Sequence, residues 1–203
     1  MATYSDDFNR TNADTLGGNW TVWSDNDVRI RSNQANSDWY SSVFYSASAS
    51  ANDQFSQITL KTNSDGAEAF LYVRASGNSE TGNAYRLLLR NTAGTWSAFI
   101  GAMPNGGYTA LTWLTASATS FSPTLAVDDV VRLEVEGTTL RFKKNGSTLD
   151  TATDGTVSSG SPGFGMYGGA VEVNLDDWSG GDLSGAASIV PQAMNNILRL
   201  GWA

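Results

Sequence analysis

The chain has 203 residues, with 12 Lys and Arg against 20 Asp and Glu for a formal net charge of −8, and it contains neither cysteine nor histidine. That balance argues against a grip on nucleic acid, whose phosphates Lys and Arg must neutralise. The missing residue types remove disulfides, thiolate chemistry, the commonest general base and the commonest transition-metal ligand.

Glycine (21 residues), 11% aromatic and only 16% charged residues describe a turn-rich β protein long enough for one large core. No run approaches the roughly 20 apolar residues that span a bilayer, so no membrane partner is expected. The start, Met1-Ala2-Thr3-Tyr4-Ser5-Asp6-Asp7, lacks a basic end and an apolar h-region. The expectation is therefore a cytoplasmic protein, or one released without a classical signal peptide.

In chain order, Ser5-Asp6-Asp7-Phe8-Asn9-Arg10 and Leu16-Gly17-Gly18-Asn19-Trp20 open the body. Segments of period-2 alternation, the signature of strands, follow at 28–31, 42–45, 55–61, 69–74, 84–90, 96–100 and 108–112. The clearest is 130–144. There Val131, Leu133 and Val135 share one face, Arg132, Glu134 and Glu136 the other, and Leu140 and Phe142 continue the apolar side after the turn at Gly137-Thr138-Thr139. Asn145-Gly146 supplies a tight hairpin because both positions tolerate positive φ, and a further strand is expected at 147–151. Gly163-Phe164-Gly165-Met166-Tyr167 and Val171-Glu172-Val173-Asn174-Leu175-Asp176-Asp177-Trp178 close the body. So many short strands predict an all-β, two-sheet antiparallel sandwich over residues 1–183.

Beyond Asp182 the texture changes. Ser184-Gly185-Ala186-Ala187-Ser188 reads as a hinge over 184–188, and 189–203 as an apolar docking segment. Val190, Met194, Ile197 and Leu198 recur at helical spacing, and with Ile189, Leu200 and Trp202 they make the segment too apolar for a solvated tail.

The opening and closing segments, with the ordered succession of strand 128–137, hairpin 140–146 and glycine-rich strand 163–167, resemble concanavalin A-like (laminin G-like) domains over roughly residues 3–182. The resemblance implies a jelly-roll sandwich whose terminal strands pair. The chain also looks like small β-sandwich proteins of bacteriophage virions, as capsid decoration or tail-associated domains.

Retaining glucanases of this fold carry a Glu-x-Asp-x-x-Glu run. Here Glu134-Val135-Glu136-Gly137-Thr138-Thr139 lacks the third carboxylate, and lyases of the fold use a histidine that this chain lacks. No catalytic residues are assigned, and the chain is expected not to be an enzyme, Glu134 and Glu136 being read as solvated partners of Arg132, Arg141 or Lys143. No cofactor is required. Paired terminal strands would bring Asp7 near Asp177, the one candidate site for a structural calcium. Trp96, Tyr108 and Trp113, beside Met103-Pro104-Asn105-Gly106-Gly107, are the aromatic candidates for stacking on a glycan, although large aromatics fill sandwich cores as readily.

The leading expectation is a non-enzymatic structural or interaction protein, at a virion surface if viral. It would be anchored to capsid or tail proteins through its C-terminal segment, which could equally join copies of the chain in a homo-oligomer. A carbohydrate-binding, lectin-like module or adhesin is the alternative, and a glycoside hydrolase ranks third.

Overall fold

The computed structural model describes residues 2–183 except 25–26, 47–50, 79–80, 106, 116–117, 120–123 and 170; the expected hinge and docking segment lie outside the described residues. In chain order the strands are β1 (Thr3–Asp6), β2 (Trp20–Ser24), β3 (Arg29–Arg31), β4 (Gln34–Ser37), β5 (Ser41–Tyr45), β6 (Gln54–Leu60), β7 (Glu68–Ser76) and β8 (Asn83–Thr92). They continue as β9 (Thr95–Met103), β10 (Thr112–Trp113), β11 (Ala118–Thr119), β12 (Val130–Glu136), β13 (Thr139–Lys144), β14 (Ser147–Thr153), β15 (Ser161–Tyr167) and β16 (Val173–Asp182). No described helix is long and apolar enough to cross a membrane.

These strands form two antiparallel sheets of eight. The first runs β14-β13-β12-β6-β16-β4-β3, with β1 also on β16; the second runs β10-β9-β8-β7-β15-β5-β2, with β11 also on β9. The expected two-sheet sandwich is what the chain builds. One expected strand, 108–112, is replaced by a 3-10 turn at Gly107–Ala110, because Gly107 takes φ 54° and its N–H bonds Gly82 O at 2.9 Å. Only Thr112 and Trp113 then pair with β9.

The alternation in 130–144 holds residue by residue. Val131, Leu133, Val135, Leu140 and Phe142 are fully buried between the sheets, and Asn145 and Gly146 turn the hairpin at φ 47° and 83°. Glu134 departs from expectation. It is buried rather than solvated, because Lys143 at 2.8 Å and Arg132 at 2.7 Å close over it on the outer face of the first sheet.

The terminal strands pair as the resemblance implies, with Asp6 opposite Trp178. What holds them is a carboxylate and an aromatic stack. Asp6 accepts from Phe8 N (2.9 Å), Trp20 Nε1 (2.9 Å) and both terminal nitrogens of Arg10 (2.6 and 3.0 Å), while Arg10 also donates to Leu16 O at 2.9 Å. Trp178 lies between Trp20 and Tyr45, at ring-centroid distances of 4.6 and 5.3 Å. Its indole N–H donates to Ser56 Oγ (3.0 Å), which donates to Gly163 O (2.6 Å), tying β16 and β6 of one sheet to β15 of the other.

Candidate functional site

The second sheet is apolar on both faces. Ala69, Leu71, Val73, Tyr85, Leu87, Leu89, Trp96, Ala98 and Ile100 face the main core; the alternate residues Phe70, Tyr72, Ala84, Leu88 and Met103 join Trp23 in a second buried cluster on the far side. A sheet face turned away from the core is ordinarily polar. Here it is roofed by apolar, mostly aromatic side chains instead, with Tyr40, Phe44, Phe99, Tyr108, Leu111 and Tyr167 packed on it half-buried.

Glycines shape this surface. Gly163 and Gly165 of β15 face Tyr72 and Phe70 across the strand pair, and a Cβ on Gly165 would stand 2.6 Å from Ser41 O and 3.0 Å from the Phe70 ring. Gly101 lies opposite Arg86, and the space its missing side chain leaves holds Leu111 and Trp113, whose atoms would stand 2.8 and 3.0 Å from a Cβ there. Trp113 packs against Phe99 (5.4 Å between centroids) yet stays 42% exposed, and Trp39, beside Tyr167 at 6.3 Å, is 57% exposed.

Between these rings lies a polar centre. The Tyr72 hydroxyl is 3.0 Å from Ser42 Oγ and 3.2 Å from the Tyr108 hydroxyl, which is 3.5 Å from Ser24 Oγ. Arg86 lies 3.9 Å from the Phe70 ring centroid and 5.5 Å from that of Tyr108. Two buried polar atoms here, Trp23 Nε1 and Arg86 Nε, have no hydrogen-bond partner among the described residues. Burial pushes the Tyr72 and Tyr40 phenols well above their ordinary value, so both stay neutral donors.

The sequence candidates divide. Tyr108 and Trp113 fall on this surface. Trp96 does not: it is 1% exposed in the main core, in step with Ala98 and Ile100 along β9, and its indole N–H donates to Asn63 Oδ1 at 2.8 Å, so a ligand cannot stack on it. Arg86, Tyr40, Trp23 and Trp39 were missed.

Asp7 and Asp177 do come together, lining one depression with Ser5, Asp6, Trp178 and Ser179. Burial raises the neighbouring Asp176, and the charges of Asp177 and Asp7 raise it further. Asp6 is already committed to Arg10 and Trp20. Among the described residues no group of three or more Asp, Glu, His or Cys side chains is arranged to hold a metal ion.

No family model matches the chain, and no curated protein does. Solved structures do. A carbohydrate-binding module, CBM66 from Bacillus subtilis, aligns over 85% of this chain and 91% of its own at 22% identity and a TM-score of 0.50. A prokaryotic β-1,3-1,4-glucanase (lichenase) from a mouse hindgut metagenome aligns over 90% and 99% at 8% identity and a TM-score of 0.60. A Bacillus subtilis protein with a galectin-like fold aligns over 80% and 88% at 10% identity and a TM-score of 0.58. The fold is a jelly-roll β-sandwich.

At such identities the likeness establishes architecture alone. It nevertheless corrects the expectation that the chain is not an enzyme. A glucanase builds the same sandwich over 90% of this chain, so the architecture includes hydrolases. The missing carboxylate signature and histidine exclude two particular active sites, not hydrolysis. Expected links to capsid, tail or sister subunits gain no support from these comparisons.

Proposed function

We propose that the chain is a saccharide-binding protein and that the aromatic outer face of its second sheet is the binding surface. The observation that carries this reading is the pair of exposed indoles, Trp113 and Trp39, flanking a neutral hydroxyl network on one sheet face. Indole faces offer apolar area to a pyranose, and the half-buried Tyr108 offers a hydroxyl partner. The match to a carbohydrate-binding module and to a glucanase supports the same ligand class.

A glycan array probed with the full chain tests the proposal. Retention of an oligosaccharide by the wild type, lost in both Trp113→Ala and Trp39→Ala while the unfolding transition is unchanged, is the expected result. Retention unaltered in both variants, or no retention of any saccharide, overturns it.

A further inference from the structure

Arg86 sits at the centre of the same face, between Tyr72 on β7 and Gly101 on β9, and is only 6% exposed. Its Nε is sealed from solvent and has no hydrogen-bond partner among the described residues. Its compensation comes from ring faces, Phe70 at 3.9 Å and Tyr108 at 5.5 Å. The nearby carboxylate, Glu68, is already paired with Arg90. Cation–π contacts of this kind offset only part of the cost of burying an unpaired ion.

Two other arginines show the contrast. Arg74, as deeply buried at 4% exposed, donates to the carbonyls of Asn52, Val157 and Gly137. Arg29 pairs with Asp27 and Asp38. A guanidinium whose Nε lacks an acceptor, beneath an aromatic surface, is matched by an anion that can present two oxygens to it.

We infer that the saccharide taken by this face is acidic, with its carboxylate or sulfate group placed on the Arg86 guanidinium. This rests on the saccharide-binding reading above. Carboxylate and sulfate present the same paired acceptor oxygens, and the probes separate them.

Isothermal titration of the full chain would use oligogalacturonate, its carboxyl-reduced neutral form, a sulfated galactan oligosaccharide and neutral cellohexaose. The expected result is binding of at least one acidic probe about tenfold or more tighter than either neutral one, with affinity falling as salt rises. In Arg86→Met that preference is expected to disappear, and in Arg86→Lys to weaken, because lysine keeps the charge but not the two-pronged donor. The reduced oligogalacturonate tests selectivity on the unaltered protein, whatever the variants do to folding.

Neutral probes binding as tightly as acidic ones would overturn the inference while leaving the saccharide-binding reading standing. An unchanged acidic preference in folded Arg86→Met would also overturn it. Absence of binding by all four, together with an empty array, would remove both.

Discussion

Replacing Asp6 by Ala is the sharpest perturbation of the fold, because one carboxylate there closes the N-terminal segment onto the sandwich. Its side chain is 13% exposed and accepts four hydrogen bonds. Arg10, at 37% exposed, recovers water when the carboxylate is removed, but Trp20 Nε1 and Phe8 N lose their acceptor in a half-buried place. An unsatisfied donor costs roughly 1–3 kcal/mol, and the charge-assisted pair adds to this, so a loss of about 3 kcal/mol is expected. For a domain of this size that is a fall of roughly 6–12 °C in Tm.

Asp6→Asn, which keeps one acceptor oxygen, should lose about half as much. Burial by itself would raise the Asp6 carboxyl, but the bonds from Arg10, Trp20 and Phe8 outweigh it and hold the group below the ordinary aspartate range. A lowered folded pKa stabilises above the unfolded value of about 3.9, and the benefit is lost as pH falls through the folded one. Urea unfolding followed by tryptophan fluorescence should therefore show a constant gap between wild type and Asp6→Ala from pH 7 down to about 4, narrowing below that. A gap under about 1 kcal/mol at pH 7, or one that persists unchanged at pH 2.5, would refute the latch.

Gly101→Ala places a Cβ against Leu111 and Trp113; the expected outcome is a displaced indole, weakened saccharide binding by titration, and little change in unfolding. Glu134→Gln leaves Arg132 and Lys143 without their counter-charge over a buried position, and a loss of about 2–4 kcal/mol is expected in urea unfolding. Tyr72 and Tyr40 have folded pKa values raised by burial, so the stability they confer is present below the ordinary tyrosine value near 10 and declines as pH rises beyond it. Absorbance titration near 295 nm should show both ionising only as the protein unfolds; their ionisation with the exposed tyrosines in the folded state would contradict the burial of this face.

The sandwich was legible because alternation and turn chemistry agree: 130–144 shows both, and the structure reproduces the face of every residue there. The candidate surface was harder to see. Ala69-Phe70-Leu71-Tyr72-Val73 and Leu87-Leu88-Leu89 are continuous apolar runs, which signal a strand covered on both sides, and that was the available clue that the second sheet carried a roof. Trp96 could have been excluded by parity, since it shares its face with Ala98 and Ile100. Arg86 could not be found locally. In sequence it is a single polar residue ahead of the Leu87-Leu88-Leu89 run, and Tyr40 and Tyr108, brought in from distant parts of the chain, help to cover its face. The Asp6 latch was hidden likewise, because its partners Arg10 and Trp20 are assembled by a turn whose Phe8 takes φ 52°.

The placement of the binding surface is tested most directly by the indole N–H resonances of the full chain during titration with the oligosaccharide that the array retains. Signals of Trp23, Trp39 and Trp113 are expected to shift saturably while those of Trp96 and Trp178, locked to Asn63 and Ser56, stay in place. Shifts confined to Trp20 or Trp178, or none among the three surface indoles, would put the saccharide elsewhere and contradict that placement.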